Sequence, residues 1–225
     1  MNRNTHHTVI YCLIPAKPYT EAKSRLAPVL SLEQRMTLSR WLLERILRLA
    51  LAALGNVVVV SRDRALLAQA RALGAWGLRE ARPGLNPALS QAARFAQVRG
   101  ADGILVLPAD LPRLTRQDLD ALLALGGVGA GVTPAPTPIL VIAPCRHGTG
   151  TNALLLRPPG LIPFAFGPDS FAAHCAAARA AGVEPVVHRA DGLAFDLDTP
   201  EDWELGIMTQ GIRNQLLPFA SSPYP

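Results

Sequence analysis

A chain of 225 residues that is 49% hydrophobic can bury one large α/β core. Its net charge of +5 is spread along the chain without a block of five like charges, and aromatic residues make up only 5%, so the basic stripe with stacking rings that a nucleic-acid surface needs is not indicated. Cys12, Cys145 and Cys175 lie far apart and form no Cys-x-x-Cys pair, which argues against a zinc ribbon or a disulfide framework and fits a reducing compartment.

Residues 1–8 are polar and are expected to fray. Residues 9–14 form an apolar run that stops at Pro15, too short for a signal sequence or a membrane span and of the right length for a buried strand. The chain is therefore read as soluble and cytoplasmic. A loop with two prolines and three cations, Lys17, Lys23 and Arg25, follows. Ser31 caps a helix, with Gln34 completing a capping box; Leu38, Leu42, Ile46 and Leu49 recur at helical spacing and Gly55 ends it. A strand at 57–60, a helix at 64–73 and a short strand at 75–79 come next. Asn86 reads as the cap of another helix, with Pro87 at its first position, running to about Arg99.

Residues 104–107 read as a strand buried on both faces, with Asp110 just past its end. Thr115 and Asp118 make a capping box for a helix to Leu125. A Gly- and Pro-rich loop over 126–138 leads to a strand at 139–143, the run Arg146-His147-Gly148-Thr149-Gly150-Thr151-Asn152, and a further apolar stretch. Ser170 is expected to cap an alanine-rich helix ending at Gly182. Strands at 186–188 and 193–197 and a helix opened by Thr199-Pro200 complete the order, and the tail past residue 210 reads as loose. Strands and helices alternate without a linker. That is one three-layer α/β/α domain over 9–210 with a mixed, mostly parallel sheet.

Ligands of open α/β sheets bind outside the carboxyl ends of the strands. Asp110 stands there. Asp196 and Asp198, two apart in an expected strand, point to one side. Three carboxylates at strand ends are the oxygen donors that magnesium takes, usually shared with substrate phosphates. Lys17, Lys23 and Arg25 supply cations against such phosphates. No Gly-x-x-x-x-Gly-Lys-Ser/Thr run is present, so this is not a P-loop ATPase. The Gly-Thr-Gly-Thr-Asn run and the Gly167 to Ser170 turn both suit a small anion. His147 and His174 read as structural. On residues alone, a nucleotidyltransferase for some small phosphorylated acceptor and a non-catalytic nucleotide-binding protein both remain open.

Taken together and in order, Ile14-Pro15-Ala16-Lys17-Pro18, Ala22-Lys23-Ser24-Arg25-Leu26, Pro108-Ala109-Asp110-Leu111-Pro112, the 146–152 run, Phe166-Gly167-Pro168-Asp169-Ser170 and Asp196-Leu197-Asp198-Thr199-Pro200 resemble the phospholactate/phosphoenolpyruvate guanylyltransferases, which make a precursor of coenzyme F-420. The resemblance spans roughly residues 9–206. It implies the nucleotide-diphospho-sugar transferase fold, a Rossmann-like arrangement. It also implies transfer of guanylate from GTP to a 2-phospho acid with release of pyrophosphate. By the family pattern, Asp110, Asp196 and Asp198 hold magnesium. Thr151, Gly167 and Ser170 hold the phospho acid; Lys17, Lys23 and Arg25 meet the GTP phosphates, with Lys17, Lys23 and Asp110 as the catalytic set; and Asn86 lies near the nucleotide. Phosphoenolpyruvate is the favoured acceptor, because the Arg-, Ala- and Pro-rich composition is that of a bacterial chain. A homodimer is the default expectation for such enzymes.

Overall fold

The computed structural model describes residues 8–129 and 137–208. The expectations for the first seven residues, for the middle of the loop after Gly126 and for the tail lie outside the described residues. Strand β1 (Ile10–Pro15) is followed by a one-turn 3-10 helix at Ser24–Leu26, α1 (Leu32–Leu54), β2 (Val57–Ser61), α2 (Arg64–Ala72), β3 (Trp76–Arg79), α3 (Leu85–Val98) and β4 (Gly103–Val106). Then come α4 (Arg116–Leu125), β5 (Ile139–Pro144), β6 (Thr151–Arg157), α5 (Ser170–Ala180), β7 (Val186–Val187), α6 (Asp191–Ala194) and α7 (Pro200–Met208). The capping boxes at Ser31/Gln34 and Thr115/Asp118 form as the sequence predicts.

The sheet order is β3-β2-β1-β4-β6-β5-β7. All neighbours pair in parallel except β6, which runs against both β4 and β5. Because successive strand residues face opposite sides, the continuous apolar runs feed two cores. Ile10, Cys12 and Ile14 join Val57, Val59 and Leu105 beneath α1, α2 and α4. Tyr11 and Leu13 join Val58, Val60, Ile104 and Val106 beneath α3 and α5. The chain winds outward from β1 to β3, then returns to β4 on the other side of β1. The crevice between the ends of β1 and β4 is therefore the topological switch point, where such sheets bind ligands.

The strand expected at 193–197 does not form. Residues 191–194 make the single turn α6, and the extended residues after it lie across the strand ends instead of along an edge. Their hydrogen bonds go to loops. The Leu197 N–H donates to the Asp110 carbonyl at 3.0 Å, and the Arg146 N–H donates to the Ala194 carbonyl at 2.8 Å. A third, smaller apolar cluster of Leu26, Leu30, Leu38, Leu42, Phe195, Leu197 and Trp203 lies under this crossing. It joins the cationic loop, the start of α1 and the Asp196–Asp198 segment, which share no strand.

Leu26 is fully buried in that cluster. Leu26→Ala is expected to lower unfolding stability by about 2–5 kcal/mol. Urea melts of the variant check this: the midpoint falls while the slope stays that of the parent.

Candidate active site

The loop after β1 places Lys23 in the left-handed backbone region (φ 54), which a non-glycine residue adopts only when its surroundings demand it. The demand is electrostatic. The Lys23 ammonium is 2.9 Å from Asp110 Oδ2 and 3.9 Å from Asp198 Oδ1, with its side chain only 9% exposed. Arg25, largely exposed, pairs with Asp198 Oδ2 at 2.9 Å. A lysine thus bridges carboxylates from two separate loops, and an arginine covers the outer one. Lys17 is exposed at the mouth of the same cavity.

Asp196 sits behind this pair. Burial pushes its carboxyl pKa above the usual value, and the charge of Asp110 pushes it further the same way; a hydrogen bond from Asn152 Nδ2 at 3.3 Å opposes them. Asn152 also donates to the carbonyls of Leu193 (2.9 Å) and Ala194 (3.3 Å), so one buried amide fixes the approach to Asp196. The guanidinium of Arg113 stacks 3.9 Å from the ring centre of the adjacent Phe195. Arg146 pairs with Asp202, whose other oxygen accepts from the N–H groups of Asp198 and Thr199 and so caps α7. The structure brings Asp110, Asp196 and Asp198 to one edge, as expected. Among the described residues, however, no three His, Cys, Asp or Glu side chains form a preformed metal cage. As hard oxygen donors the three aspartates suit a hard divalent cation that takes ligands from elsewhere as well.

Across β4 the geometry is different. Thr151 opens β6, and its N–H donates to Ser170 Oγ at 3.1 Å. Ser170 is therefore the first residue of α5 and not its cap; Asp169, itself left-handed at φ 53, holds the cap position without a side-chain bond. His174 Nε2 accepts from the Ala165 N–H at 3.0 Å, which leaves the ring proton on Nδ1 to donate to Thr151 Oγ1, also at 3.0 Å. Burial lowers the His174 pKa to about 4, so the ring is neutral at physiological pH. A buried His174 orients Thr151, which bears out its structural reading and gives it a purpose. Gly167 (φ 143) makes the turn ahead of α5 in a conformation that suits glycine.

Asn86 does not cap α3. The helix begins two residues earlier than expected, at Leu85 behind Gly84 at φ 116, and the Asn86 amide exchanges two hydrogen bonds with the Phe166 backbone at 2.9 and 3.0 Å. The tertiary partner outcompetes the local cap.

A cavity of about 380 Å³ runs from Asp110 and Asp198 past Lys17 and Lys23 towards Arg62, Glu80 and Leu85. Thr151, Gly167, Ser170, Asn86, Asp196 and Arg25 do not line it, though Asn86 follows Leu85 of its wall and Arg25 pairs with Asp198. Sequence reasoning missed Arg62 and Glu80. Each follows a parallel strand, so the strand-end rule that singled out Asp110 also points to them.

The family model described as "Guanylyl transferase CofC like" matches residues 10–216. A protein named phosphoenolpyruvate guanylyltransferase from Rubrobacter xylanophilus is 46% identical over 194 residues, which is 86% of this chain and 91% of that one. One named 3-phospho-D-glycerate guanylyltransferase from Colwellia psychrerythraea is 32% identical over 195 residues, 86% of this chain and 89% of that one. Among solved structures, a nucleotide-diphospho-sugar transferase from Desulfovibrio desulfuricans G20 shares the fold with a TM-score of 0.66 at 15% identity, over 94% of this chain and 96% of that one. A glucosyl-3-phosphoglycerate synthase from Mycobacterium tuberculosis, solved with Mg2+ and uridine-diphosphate, shares it at TM-score 0.55 and 16% identity, over 96% and 81%.

The raised pKa of Asp196 means that its ionised form costs folding stability. The cost is absent below the ordinary carboxylate range, where both states are protonated, and full once pH rises past the folded value. Asp196→Asn is expected to melt above the parent at pH 7 in metal-free buffer, with the gap closing as pH falls through the carboxylate range. Thermal melts across pH check this.

Proposed function

The chain belongs to the CofC-like guanylyl transferases and is a nucleotidyltransferase, and on that premise we propose that it transfers guanylate from GTP to phosphoenolpyruvate. A phosphate oxygen of the acceptor attacks the α-phosphorus of GTP in line. The bond from that phosphorus to the oxygen bridging the β-phosphate breaks, and pyrophosphate leaves with the electron pair. The product is a guanylylated diphosphate. The attacking oxygen is already anionic, so the reaction needs no general base, and positioning with charge neutralisation supplies the rate.

Each part of the edge has a task in this scheme. Lys17, Lys23 and Arg25 meet the triphosphate, with Lys23 turning from Asp110 towards phosphate oxygens as they arrive. Asp110, Asp196 and Asp198 would hold magnesium, which when bound offsets charge on the reacting phosphates. Thr151, Gly167 and Ser170 receive the phospho acid on the β6 and α5 side, with the Thr151 hydroxyl set by His174. Asn86 holds the start of α3, and with it the Gly84–Leu85 wall, beside the nucleotide. The reaction joins two substrates, and the two halves of the sheet edge offer one place for each. No described helix is long and apolar enough to cross a membrane; the enzyme is proposed to work in the cytoplasm as a homodimer.

The acceptor assignment is carried by the 46% identity to a protein named for phosphoenolpyruvate. The relative named for 3-phospho-D-glycerate makes that acid the competing acceptor. The test is pyrophosphate release with GTP, magnesium and phosphoenolpyruvate, 2-phospho-L-lactate or 3-phospho-D-glycerate in turn. Release is expected with phosphoenolpyruvate and is lost with chelator. Release with phosphoglycerate alone would reassign the acceptor, and release with none would remove the reaction. Asp110→Asn is expected to lower kcat by about a hundredfold or more while the melting curve stays cooperative; full activity would remove Asp110 from the site.

A further inference from the structure

From the reading that the donor is GTP, we infer that Glu80 reads the guanine base. The triphosphate end of the cavity is marked by Lys23, Asp110 and Asp198 at the β1/β4 crossover. From there the cavity extends over the ends of β1 and β2 to β3, where Glu80 follows Arg79. The sheet order places three strand spacings between β4 and β3, about 14 Å. That matches the reach of a nucleotide from its α-phosphate to the outer edge of a purine. The walls there are apolar. Val60, Leu66 and Ala88 line the far end, and Leu85, a large apolar side chain left 44% exposed at the start of α3, stands where it can cover a ring face.

Four carboxylates line this cavity. Asp110 and Asp198 face Lys23 and Arg25, and Glu21 faces Arg62. Glu80 alone among them makes no ion pair with the described residues. Arg62 is close enough to feel its charge, but its guanidinium is held by Glu21. Glu80 is half-buried and fixed. Its N–H donates to the Ser61 carbonyl, and its Oε1 accepts from the Gly84 N–H at 2.9 Å. That single contact on Oε1 leaves lone pairs free on both oxygens, since a carboxylate has about four acceptor sites. A rigid, unpaired carboxylate at the end of an apolar slot calls for a neutral ligand with two parallel donors. Guanine presents that pair as N1–H and its 2-amino group. Adenine presents an acceptor at N1, which a carboxylate repels, and hypoxanthine has N1–H without the amine. Glu80 thus selects guanine over both, most strongly over adenine, because a mismatch leaves a buried polar group unanswered.

The test is equilibrium binding of GTP, ITP and ATP by calorimetry to the intact chain and to Glu80→Gln, which keeps an oxygen for the Gly84 N–H but removes the charge and the paired acceptors. The parent is expected to bind GTP about tenfold or more tighter than ITP, and ATP more weakly still. Glu80→Gln is expected to lose about tenfold to a hundredfold for GTP and less for ITP, so the GTP/ITP ratio falls towards one. Equal losses for GTP and ITP, as a damaged loop would produce, or no loss for GTP, would overturn the assignment. If the ratio collapses as expected while no acceptor releases pyrophosphate from the parent, the guanine site stands and the proposed reaction fails.

Discussion

One ammonium group organises the working edge of this protein. Three carboxylates from two loops are gathered at the ends of the central strands, and like charges so placed repel one another. Lys23, with its side chain almost fully buried, stands between Asp110 and Asp198 and balances that repulsion. Its left-handed backbone is the local cost of reaching inward from the β1 loop. In the proposed reaction the triphosphate oxygens would draw Lys23 away, and Asp110, Asp196 and Asp198 would then be free to hold a divalent metal, which would offset the charge of the phosphates. The same charges hold the two loops in register.

Such an arrangement needs loops that stay put without sheet pairing. Leu26, Phe195, Leu197 and Trp203 supply this through the third apolar cluster, and Asn152 and Asp202 supply it through their hydrogen bonds to backbone. The division of labour follows the topology. Parallel strands β1, β2 and β3 end at the long cavity, which suits a nucleotide. The antiparallel turn from β5 to β6 and the start of α5 lie outside that cavity and are joined by the Thr151–Ser170 hydrogen bond, the side on which the compact acid is proposed to bind. Both halves meet at the crossover beside β4.

Much of this was readable from residue types. Buried runs that stop at Pro15 and just before Asp110 mark strands ending at a site, because only a strand covered on both faces is apolar without alternation. The capping boxes at Ser31 and Thr115 are local chemistry and form as read. The failures share one cause: tertiary partners outweigh local preference. Asn86 and Ser170 are good cap residues, yet each gives its side chain to a distant backbone group, that of Phe166 or Thr151. Residues 193–197 have strand composition, but both edges of the sheet end elsewhere, and their backbone is paired by Asp110 and Asn152. Glu80 escaped notice because a lone acidic residue after a short strand looks like surface; the strand-end rule points to it, and its place in the cavity wall gives it meaning.

In the proposed reaction the acceptor's phosphate attacks the α-phosphorus of GTP at the β1/β4 crossover. Phosphoenolpyruvate labelled with 18O in its phosphate, turned over with GTP and analysed by mass spectrometry, tests it most directly. All of the label is expected in the guanylylated product, and none in the released pyrophosphate. Label in pyrophosphate, or a product without label, would contradict the account.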